Sequence, residues 1–299
     1  MMSISLSVVV PSRNAAATLD SVLDALKRQS VTPREIIVVD DASTDDTAAI
    51  AGRYDVRVVT TDHVGYAGGA RNRGWDEATS QYVCFVDADA CPDENFVAGV
   101  ERAVSDFPKS VIGCARRFSP GSAWSWVAHL QCETPYLEIG IPRDAPFVSS
   151  FCMVVPADLP VRWDESYGGE DMVFSADVLA AGYRLIFDPR FHASHVKLRE
   201  TYADLRRQQR RQAYGQARGA YLVEIGRARK VLARVPLHYF VLARLPVIYR
   251  RLGDFPELRA GFWSHLGHLI VGEWMLGISA WRYALRRPPV RGHHGPDTR

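Results

Sequence analysis

Two acidic clusters contain the residue types best able to do chemistry in this chain. Asp87-Ala88-Asp89 directly follows the apolar run 82–86, and Gly169-Glu170-Asp171 lies far downstream. Two carboxylates two positions apart can turn toward one divalent ion, Mg²⁺ or Mn²⁺, and leave room for diphosphate oxygens and water. Asp171 is the candidate general base, because a carboxylate there can take a proton. The clusters predict an enzyme that transfers a group from a metal-bound diphosphate donor.

An alternation of strand and helix patterns must position these clusters. We predict strands over 5–10, 35–39, 56–59, 82–86, 111–115, 147–155 and 183–187. Helices are expected over 19–26, after Ser43 or Thr44, from Pro92 through Val104 and over 170–179, whereas the aromatic stretch 118–144 has an irregular pattern. Such alternation is typical of an α/β fold with a largely parallel sheet. Asp41, Asp87 and Asp89 then fall at carboxyl ends of strands, where open α/β sheets bind ligands.

A further carboxylate and two histidines extend this prediction. Asp41 follows an apolar strand pattern and can accept hydrogen bonds from a base N–H or from ribose hydroxyls. In the alternative interpretation the segment 41–45 only caps the next helix, with Ser43 or Thr44 at its N-terminus. His195 can complete a metal shell, and we favour it over His192.

The glycine-rich segment 65–74 is only superficially similar to a phosphate loop. It lacks the Walker lysine and the glycine spacing of dinucleotide-binding folds. Arg71 in this segment is nevertheless expected to pair with a phosphate or with an active-site acid.

Taken together, these motifs resemble a family 2 glycosyltransferase of the GT-A fold. The resemblance covers roughly the first two-thirds of the chain, and the ordered set of motifs is more specific than any one of them. The matching stretches are Val8-Val9-Val10-Pro11-Ser12-Arg13-Asn14, Ile37-Val38-Val39-Asp40-Asp41-Ala42-Ser43-Thr44-Asp45, Ala70-Arg71-Asn72-Arg73-Gly74, Phe85-Val86-Asp87-Ala88-Asp89, and Trp163-Asp164-Glu165 leading to Gly169-Glu170-Asp171.

The resemblance implies transfer of a sugar from a nucleotide-sugar, UDP- or GDP-linked, to a hydroxyl acceptor with inversion at the anomeric carbon. It implies that Pro11 and Arg13 lie beside the nucleotide and that Asp41 contacts the base or the ribose. Arg71 would help to organise the pocket.

The same resemblance gives roles to the acidic clusters. Asp87 would touch the ribose or metal-bound water, Asp89 would ligate the metal, and Asp171 would deprotonate the acceptor hydroxyl. The chain departs from the family where many relatives carry a Gly-x-Asn-like segment, since it has Ser149-Ser150-Phe151-Cys152 there. Donor sugar and acceptor therefore stay open, with lipid-linked and polysaccharide acceptors among the alternatives.

Composition limits the compartment and the partners. The net charge is +2, but basic residues dominate 199–251, which favours an anionic neighbour such as a diphosphate or a lipid headgroup. A nucleic-acid partner is not expected. The five cysteines are scattered and odd in number, and the N-terminal apolar run lacks a basic leader. These features favour reduced thiols and a cytoplasmic protein, with peripheral contact to the membrane as an option.

The C-terminal third has a different texture. We predict a catalytic domain over 1–198, a helical region rich in arginine and apolar residues over 199–287, and a disordered tail over 288–299. The stretch 261–281 has nearly the length of a membrane span, but Glu273 is costly in lipid. A helix against the membrane surface, in the core or in a homodimer interface is favoured over a true span.

Two other classes of protein remain as alternatives. A nucleotidyltransferase on a similar sheet would need a glycine-rich phosphate loop with a lysine near the first strand, which Pro11-Ser12-Arg13-Asn14 does not supply. A non-enzymatic nucleotide-sugar-binding protein is disfavoured because Asp87, Asp89 and Asp171 are all present.

Overall fold

A computed structural model describes residues 4–117, 121–138, 140–196, 200–222, 237–253 and 255–285. The chain divides into two compact units. The first comprises Met1–Arg117 and Gly140–Lys197, and the second comprises Phe118–Ile139 and Leu198–Arg299. Residues 118–139 thus group with the C-terminal helices, and the continuous domains predicted above stay a prediction. The predicted tail 288–299 lies outside the described residues.

A mixed sheet with helices forms the first unit. Its described strands are β1 (Leu6–Ser12), β2 (Glu35–Asp40), β3 (Arg57–Thr60), β4 (Tyr82–Val86), β5 (Ala90–Pro92), β6 (Ser110–Arg117), β7 (Arg143–Asp144), β8 (Cys152–Pro156) and β9 (Arg184–His195). Their order is β3-β2-β1-β4-β8-β6-β9-β5, with β7 paired to β9. The strands β3, β2, β1 and β4 are mutually parallel, whereas β8 is antiparallel to β4.

Apolar residues on both faces explain the unbroken runs in the central strands. Val8 and Val10 pack into one core layer, and Val9, Ile37 and Phe85 pack into the other. The helices of this unit are α1 (Leu19–Lys27), α2 (Thr47–Ala51), α3 (Tyr66–Glu77), α4 (Phe96–Asp106) and α6 (Glu170–Ala180). A strand covered on both faces needs apolar side chains at successive positions. A strand with one face in water would instead alternate apolar and polar residues.

The prediction for Pro92 was wrong. Pro92 ends β5, and α4 begins at Phe96. The strand β5 pairs antiparallel with β9, so that Ala90 lies opposite His195. Three residues are too few to give a periodic pattern, and this pairing across the sequence was therefore missed.

Helices form the described part of the second unit. They are α5 (Ala123–Cys132), a 3₁₀ turn over Thr134–Tyr136, α7 (Tyr202–Leu222), α8 (Leu237–Arg251), α9 (Pro256–Ser264) and α10 (Leu266–Leu285). Val127, Leu130, Leu205 and Leu269 are fully buried in its core. The stretch 261–281 is divided between α9 and α10. Among the described residues, no helix has the length and apolar character needed to cross a bilayer.

Candidate active site

Helix α3 carries the glycine-rich segment, and its glycines serve close packing. A Cβ on Gly74 would lie 2.3 Å from Val9 Cγ1, and one on Gly68 would lie 2.0 Å from the carbonyl oxygen of Asp164. Any larger residue would therefore push the helix away from β1 and from the segment 163–165. The segment is a packed helix and not a phosphate loop.

Asn72 on the same helix holds the Trp163-Asp164-Glu165 segment. Its side-chain oxygen accepts a hydrogen bond from the Trp163 amide at 3.0 Å, and its amide nitrogen donates to the Trp163 carbonyl and to Glu165 Oε1 at 3.0 and 2.9 Å. The indole of Trp163 stacks on Phe174 with 4.0 Å between ring centroids. Asn72 therefore fixes the segment 163–165 beside α3. Asn72 directly follows Arg71 in that helix.

Arg71 links the two acidic clusters of the sequence. Its Nη2 donates to Asp87 Oδ1 at 2.7 Å and to Ser150 Oγ at 3.1 Å, and its Nη1 donates to Glu170 Oε1 at 3.2 Å. The guanidinium lies 4.8 Å from the centre of the Trp163 ring. Burial of Arg71 opposes its charge, but the carboxylates of Asp87 and Glu170 outweigh this and raise its pKa. Arg71 is thus a permanently charged centre, and its partners are carboxylates of the two acidic clusters.

The turn after β4 presents Asp87 and Asp89. The Asp87 amide donates to the Phe151 carbonyl, and the Ala90 amide donates back to the Asp87 carbonyl. Burial raises the pKa of Asp87 to about 6, with the negative charge of Asp89 acting in the same direction against Arg71. A bound cation would oppose both effects and keep the carboxylate ionised.

Strand pairing brings His195 to the neighbourhood of Asp89. The Val196 amide donates to the Asp89 carbonyl at 2.8 Å, and His195 pairs with Ala90 across β5 and β9. The His195 ring lies 4.2 Å from the Phe151 ring. His192 instead places Nε2 3.3 Å from Asp93 Oδ2. The register of β5 against β9 therefore places His195, and not His192, beside the Asp87-Ala88-Asp89 turn.

The donor atoms at this turn would supply only part of the coordination shell of a metal ion. Within the described residues, no group of three His, Cys, Asp or Glu side chains is arranged to hold a metal ion. Carboxylate oxygens and an imidazole are nevertheless ligands that Mn²⁺ accepts, and carboxylates suit Mg²⁺. The residues fit an ion that takes part of its shell from a bound diphosphate and water.

Asp171 lies in the first turn of α6. Gly168 and Gly169 precede the helix with φ of 74° and 80°, a left-handed backbone that glycine adopts without strain. Asp171 Oδ1 accepts a hydrogen bond from the Met172 amide at 2.9 Å. Burial and the adjacent charge of Glu170 raise the pKa of Asp171 to about 7, against the attraction of Arg71 and Arg116. Such a carboxylate can exchange a proton near neutral pH, as a general base must.

Asp41 directly follows β2, and its two carboxylate oxygens have different surroundings. The side chain is 2 % exposed. Its Oδ1 accepts hydrogen bonds from the Gly65 amide at 2.7 Å and from Thr61 Oγ1 at 3.3 Å. Its Oδ2 is buried without a hydrogen-bond partner among the described residues. A buried oxygen of this kind requires a donor, such as a base N–H or a ribose hydroxyl.

The capping interpretation of the segment 41–45 was wrong for Ser43 and Thr44. Helix α2 begins at Thr47, whose amide donates to Asp45 Oδ1 at 3.1 Å. Ser43 Oγ accepts from the Asn14 amide, and the Thr44 amide donates to Asn14 Oδ1. These residues join the turn after β2 to the turn after β1, which holds two edges of the candidate nucleotide site together.

Pro11 and Arg13 flank the end of β1. Pro11 is half-buried within the strand, and Arg13 is exposed on the turn that follows. The turn continues through Asn14 at φ 49° and is fixed by a hydrogen bond from the Ala15 amide to Thr47 Oγ1. Both residues therefore lie at the same carboxyl edge of the sheet as Asp41.

The sequence patterns gave no indication of Arg116. Its side chain is 8 % exposed, donates to Ser149 Oγ and lies over the Phe151 ring, with Cζ 4.5 Å from the ring centre. Its positive charge also acts on Asp171. Its partner Ser149 belongs to the segment 149–152, where the chain departs from the family pattern, and that departure is the signal from which Arg116 could have been found.

Comparisons with known proteins support this fold. The family model described as Glycosyl transferase family 2 matches residues 7–159. The amylovoran biosynthesis glycosyltransferase AmsB of Erwinia amylovora is 41 % identical over 96 residues, which cover 30 % of this chain and 32 % of that protein. The chain spans from 26 % to 54 % of the length of the first curated relatives that it matches.

Two solved structures have a similar fold over most of the chain. The mannosyltransferase PcManGT of Pyrobaculum calidifontis, in complex with GDP-Man and Mn²⁺, is 18 % identical with a TM-score of 0.60 over 94 % of this chain and 85 % of that one. Residues 1–349 of S. aureus TarS, in complex with UDP-GlcNAc, are 17 % identical with a TM-score of 0.53 over 93 % and 92 %. At this identity the similarity concerns the fold.

Proposed function

Since the chain belongs to glycosyltransferase family 2, as its sequence predicted, and has the predicted α/β fold of GT-A transferases, we propose that it transfers a sugar from a UDP- or GDP-sugar to an acceptor hydroxyl. The acceptor oxygen forms a bond to the anomeric carbon as the bond from that carbon to the diphosphate breaks. The hydroxyl proton goes to Asp171, and the nucleoside diphosphate leaves. A single displacement of this kind inverts the anomeric configuration.

The contact of Arg71 with Asp87 and Glu170 is the observation that carries this proposal. It brings the candidate metal-binding turn and Glu170, the residue before the candidate base Asp171, to one guanidinium, although they are far apart in sequence. In the proposed reaction Arg71 acts as a positioning residue, because both its carboxylate partners are held by its two terminal nitrogens. Ser150 Oγ accepts a hydrogen bond from Arg71 Nη2, the same nitrogen that donates to Asp87.

Asp41 is proposed to bind the nucleotide. Its Oδ2 is a buried acceptor without a hydrogen-bond partner among the described residues, and its Oδ1 accepts from Gly65 and Thr61. The donor from the ligand is a base N–H or a ribose hydroxyl. Pro11 and Arg13 are proposed to line the same end of the pocket, Arg13 with its guanidinium toward the anionic donor.

Asp89, with Asp87 and His195, is proposed to hold Mg²⁺ or Mn²⁺. The complex of PcManGT contains Mn²⁺ with GDP-Man, which supports a divalent ion as the cofactor. When bound, the ion supplies positive charge for the departing diphosphate. Asp87 already accepts a hydrogen bond from Arg71, so Asp89 is expected to contribute more to binding the metal.

Reduced thiols support a cytoplasmic location. None of the five cysteines, all within the described residues, forms a disulfide, although the buried thiols of Cys84, Cys114 and Cys152 are near enough to influence one another. We propose that the donor is taken from the cytoplasmic pool of nucleotide-sugars.

A panel of nucleotide-sugars tests the proposal. Thermal unfolding of the full chain is followed with UDP-, GDP-, CMP- and dTDP-sugars in Mn²⁺, Mg²⁺ or EDTA, and each stabilising donor is then assayed for release of nucleoside diphosphate. A rise in Tm from one nucleotide class that disappears in EDTA, followed by diphosphate release, is expected.

Variants of the turn separate the metal from the nucleotide. Asp89→Ala is expected to abolish the metal-dependent part of the shift, whereas Glu94→Gln, at an exposed position of the same region, is expected to retain it. A stabilising donor without turnover on any acceptor would favour the non-enzymatic alternative. Release of pyrophosphate from a nucleoside triphosphate would instead favour a nucleotidyltransferase.

A further inference from the structure

Helix α10 has one face built into the second unit and an opposite face exposed to solvent. On the inner face, Leu269, Gly272, Glu273 and Leu276 are buried. A Cβ on Gly272 would lie 2.4 Å from Val127 Cγ1, so the helix is packed as closely as its backbone allows. The inner face is therefore committed to the protein.

The exposed face of α10 is apolar over about three turns. Its side chains are 36–46 % exposed at Ile270, Val271, Trp274, Ile278 and Trp281. At 100° per residue these positions lie within an arc of about 100°. Arg282 lies about 20° beyond one edge of the arc, and no Asp, Glu, Lys or Arg lies within it. A surface helix ordinarily presents charged residues on this side, so an apolar stripe with two tryptophans indicates a binding surface.

Charge favours an anionic partner for this unit. The segments 118–139 and 198–299 contain 19 Lys and Arg against 9 Asp and Glu, a net charge of +10, whereas the rest of the chain contains 17 against 25, a net charge of −8. Arg206, Arg207, Arg210 and Arg211 on α7 are exposed, although Arg218 of the same run is buried. Two copies of a unit with this charge repel each other, which disfavours a homodimer through the same face.

We propose that the exposed face of α10 binds the surface of an anionic lipid bilayer. The tryptophans and aliphatic side chains enter the boundary between headgroups and acyl chains, where Trp is favoured. The arginines of the unit contact the anionic headgroups. The buried Glu273 and the close packing of Gly272 keep the inner face on the protein, so α10 lies along the surface.

Vesicle binding by the full chain tests this proposal without requiring donor, metal or turnover. Flotation with vesicles of phosphatidylcholine and phosphatidylglycerol is expected to carry the protein upward and to shift its tryptophan fluorescence to the blue. Pure phosphatidylcholine vesicles are expected to bind less, and 1 M salt, where the Debye length is about 3 Å, is expected to weaken binding to the anionic vesicles.

A double variant identifies the face. Trp274→Gln with Trp281→Gln is expected to lower partitioning by about tenfold or more, because it removes the two largest apolar side chains of the stripe. Ile141→Gln is the matched control, since Ile141 is 77 % exposed but belongs to the first unit. Both variants change exposed positions, and an unchanged Tm will confirm that they fold.

Three results would overturn the proposal. The first is no flotation with either vesicle composition. The second is equal flotation of the double variant and the wild type. The third is a concentration-dependent dimer, or binding to RNA, that the double variant loses while vesicle binding stays absent. None of these results would affect the proposed sugar transfer, which is measured with soluble donors.

Discussion

Each unit of the chain contains a partly buried ion pair between an arginine and a carboxylate. In the first unit the carboxylates are the more exposed partners, and in the second unit the arginine is. In the first unit the side chain of Arg71 is 3 % exposed, whereas those of Asp87 and Glu170 are 29 % and 15 % exposed. In the second unit Glu273 is 0 % exposed and Arg244 is 27 % exposed. The first arrangement leaves acids accessible to a ligand around a sealed cation. The second seals the acid away from any ligand.

The hydrogen bonds around the two ion pairs also differ. Arg71 connects α3 with the turn after β4, with the loop that contains Ser150 and with the first turn of α6. Glu273 accepts from Gln131 Nε2 at 3.0 Å, and Gln131 accepts from Gln209 at 2.8 Å, so that α10, α5 and α7 are joined. Burial raises the pKa of Glu273, against the effect of Arg244. We infer that the first network serves chemistry and the second serves packing.

Replacing the candidate base should give the largest effect. Asp171→Asn keeps the shape of the side chain but cannot take the proton of the acceptor, so kcat is expected to fall by about 10²–10⁴-fold with donor affinity nearly unchanged. Steady-state transfer and donor titration measure the two quantities. Asp177→Asn, at an exposed position of the same helix, serves as the control. Full activity of Asp171→Asn would eliminate this residue as the base.

Removing the sealed arginine should affect stability and activity together. Arg71→Gln leaves Asp87 and Glu170 close to each other without their cation, and the free energy of unfolding is expected to fall by about 3–5 kcal/mol. Transfer should fall as well, at temperatures where the variant is folded. Denaturant unfolding and activity at low temperature measure the two effects.

The matched control for Arg71 lies two residues away. Arg73 is 52 % exposed and pairs with Glu77 one turn along the helix. Arg73→Gln is expected to change stability by less than about 1 kcal/mol and to keep full activity. Equal losses for the two variants would show that Arg71 has no special role.

Breaking the second network should affect stability alone. Glu273→Gln keeps an acceptor for Gln131 but sets an amide against Arg244, and we expect a loss of about 1–3 kcal/mol in the free energy of unfolding. The kcat of the folded variant should equal that of the wild type. Exposed Glu257→Gln on α9 is the control, with an expected change within about 0.5 kcal/mol. A selective loss of kcat in Glu273→Gln would contradict the division of roles between the networks.

Local patterns predicted the acidic motifs, because strand, turn and carboxylate are adjacent in sequence. Asp41, Asp87 and Asp89 follow apolar runs, and the sheet brings these ends together as expected. Arg116 depends on the position of β6 beside β8 and β9, which no local pattern records. The same limit hid β5, which has three residues, and the partition of 118–139 into the second unit.

The second unit was harder to predict for a different reason. Its stretch 261–281 contains apolar residues on both the buried and the exposed face of α10, so hydrophobicity alone does not separate core from surface. From the sequence alone, Glu273 indicated only that a membrane-spanning helix would be unfavourable there. Its partner Gln131 lies in a segment whose aromatic, irregular pattern gave no helix prediction, and that segment forms α5.

The charge of Glu170 offers the finest test of the first network. A base with a pKa of about 7 must be ionised to act, so transfer should rise with pH through about 7 and level off above it. Glu170→Gln removes the negative neighbour that raises this pKa, while its amide oxygen still accepts from Arg71. The midpoint of the pH profile should therefore move to lower pH, by roughly 0.5–1 unit at the effective dielectric constant of a protein. A midpoint that stays in place, or moves upward, would mean that the profile reports another group, because loss of a negative neighbour can only make Asp171 easier to ionise.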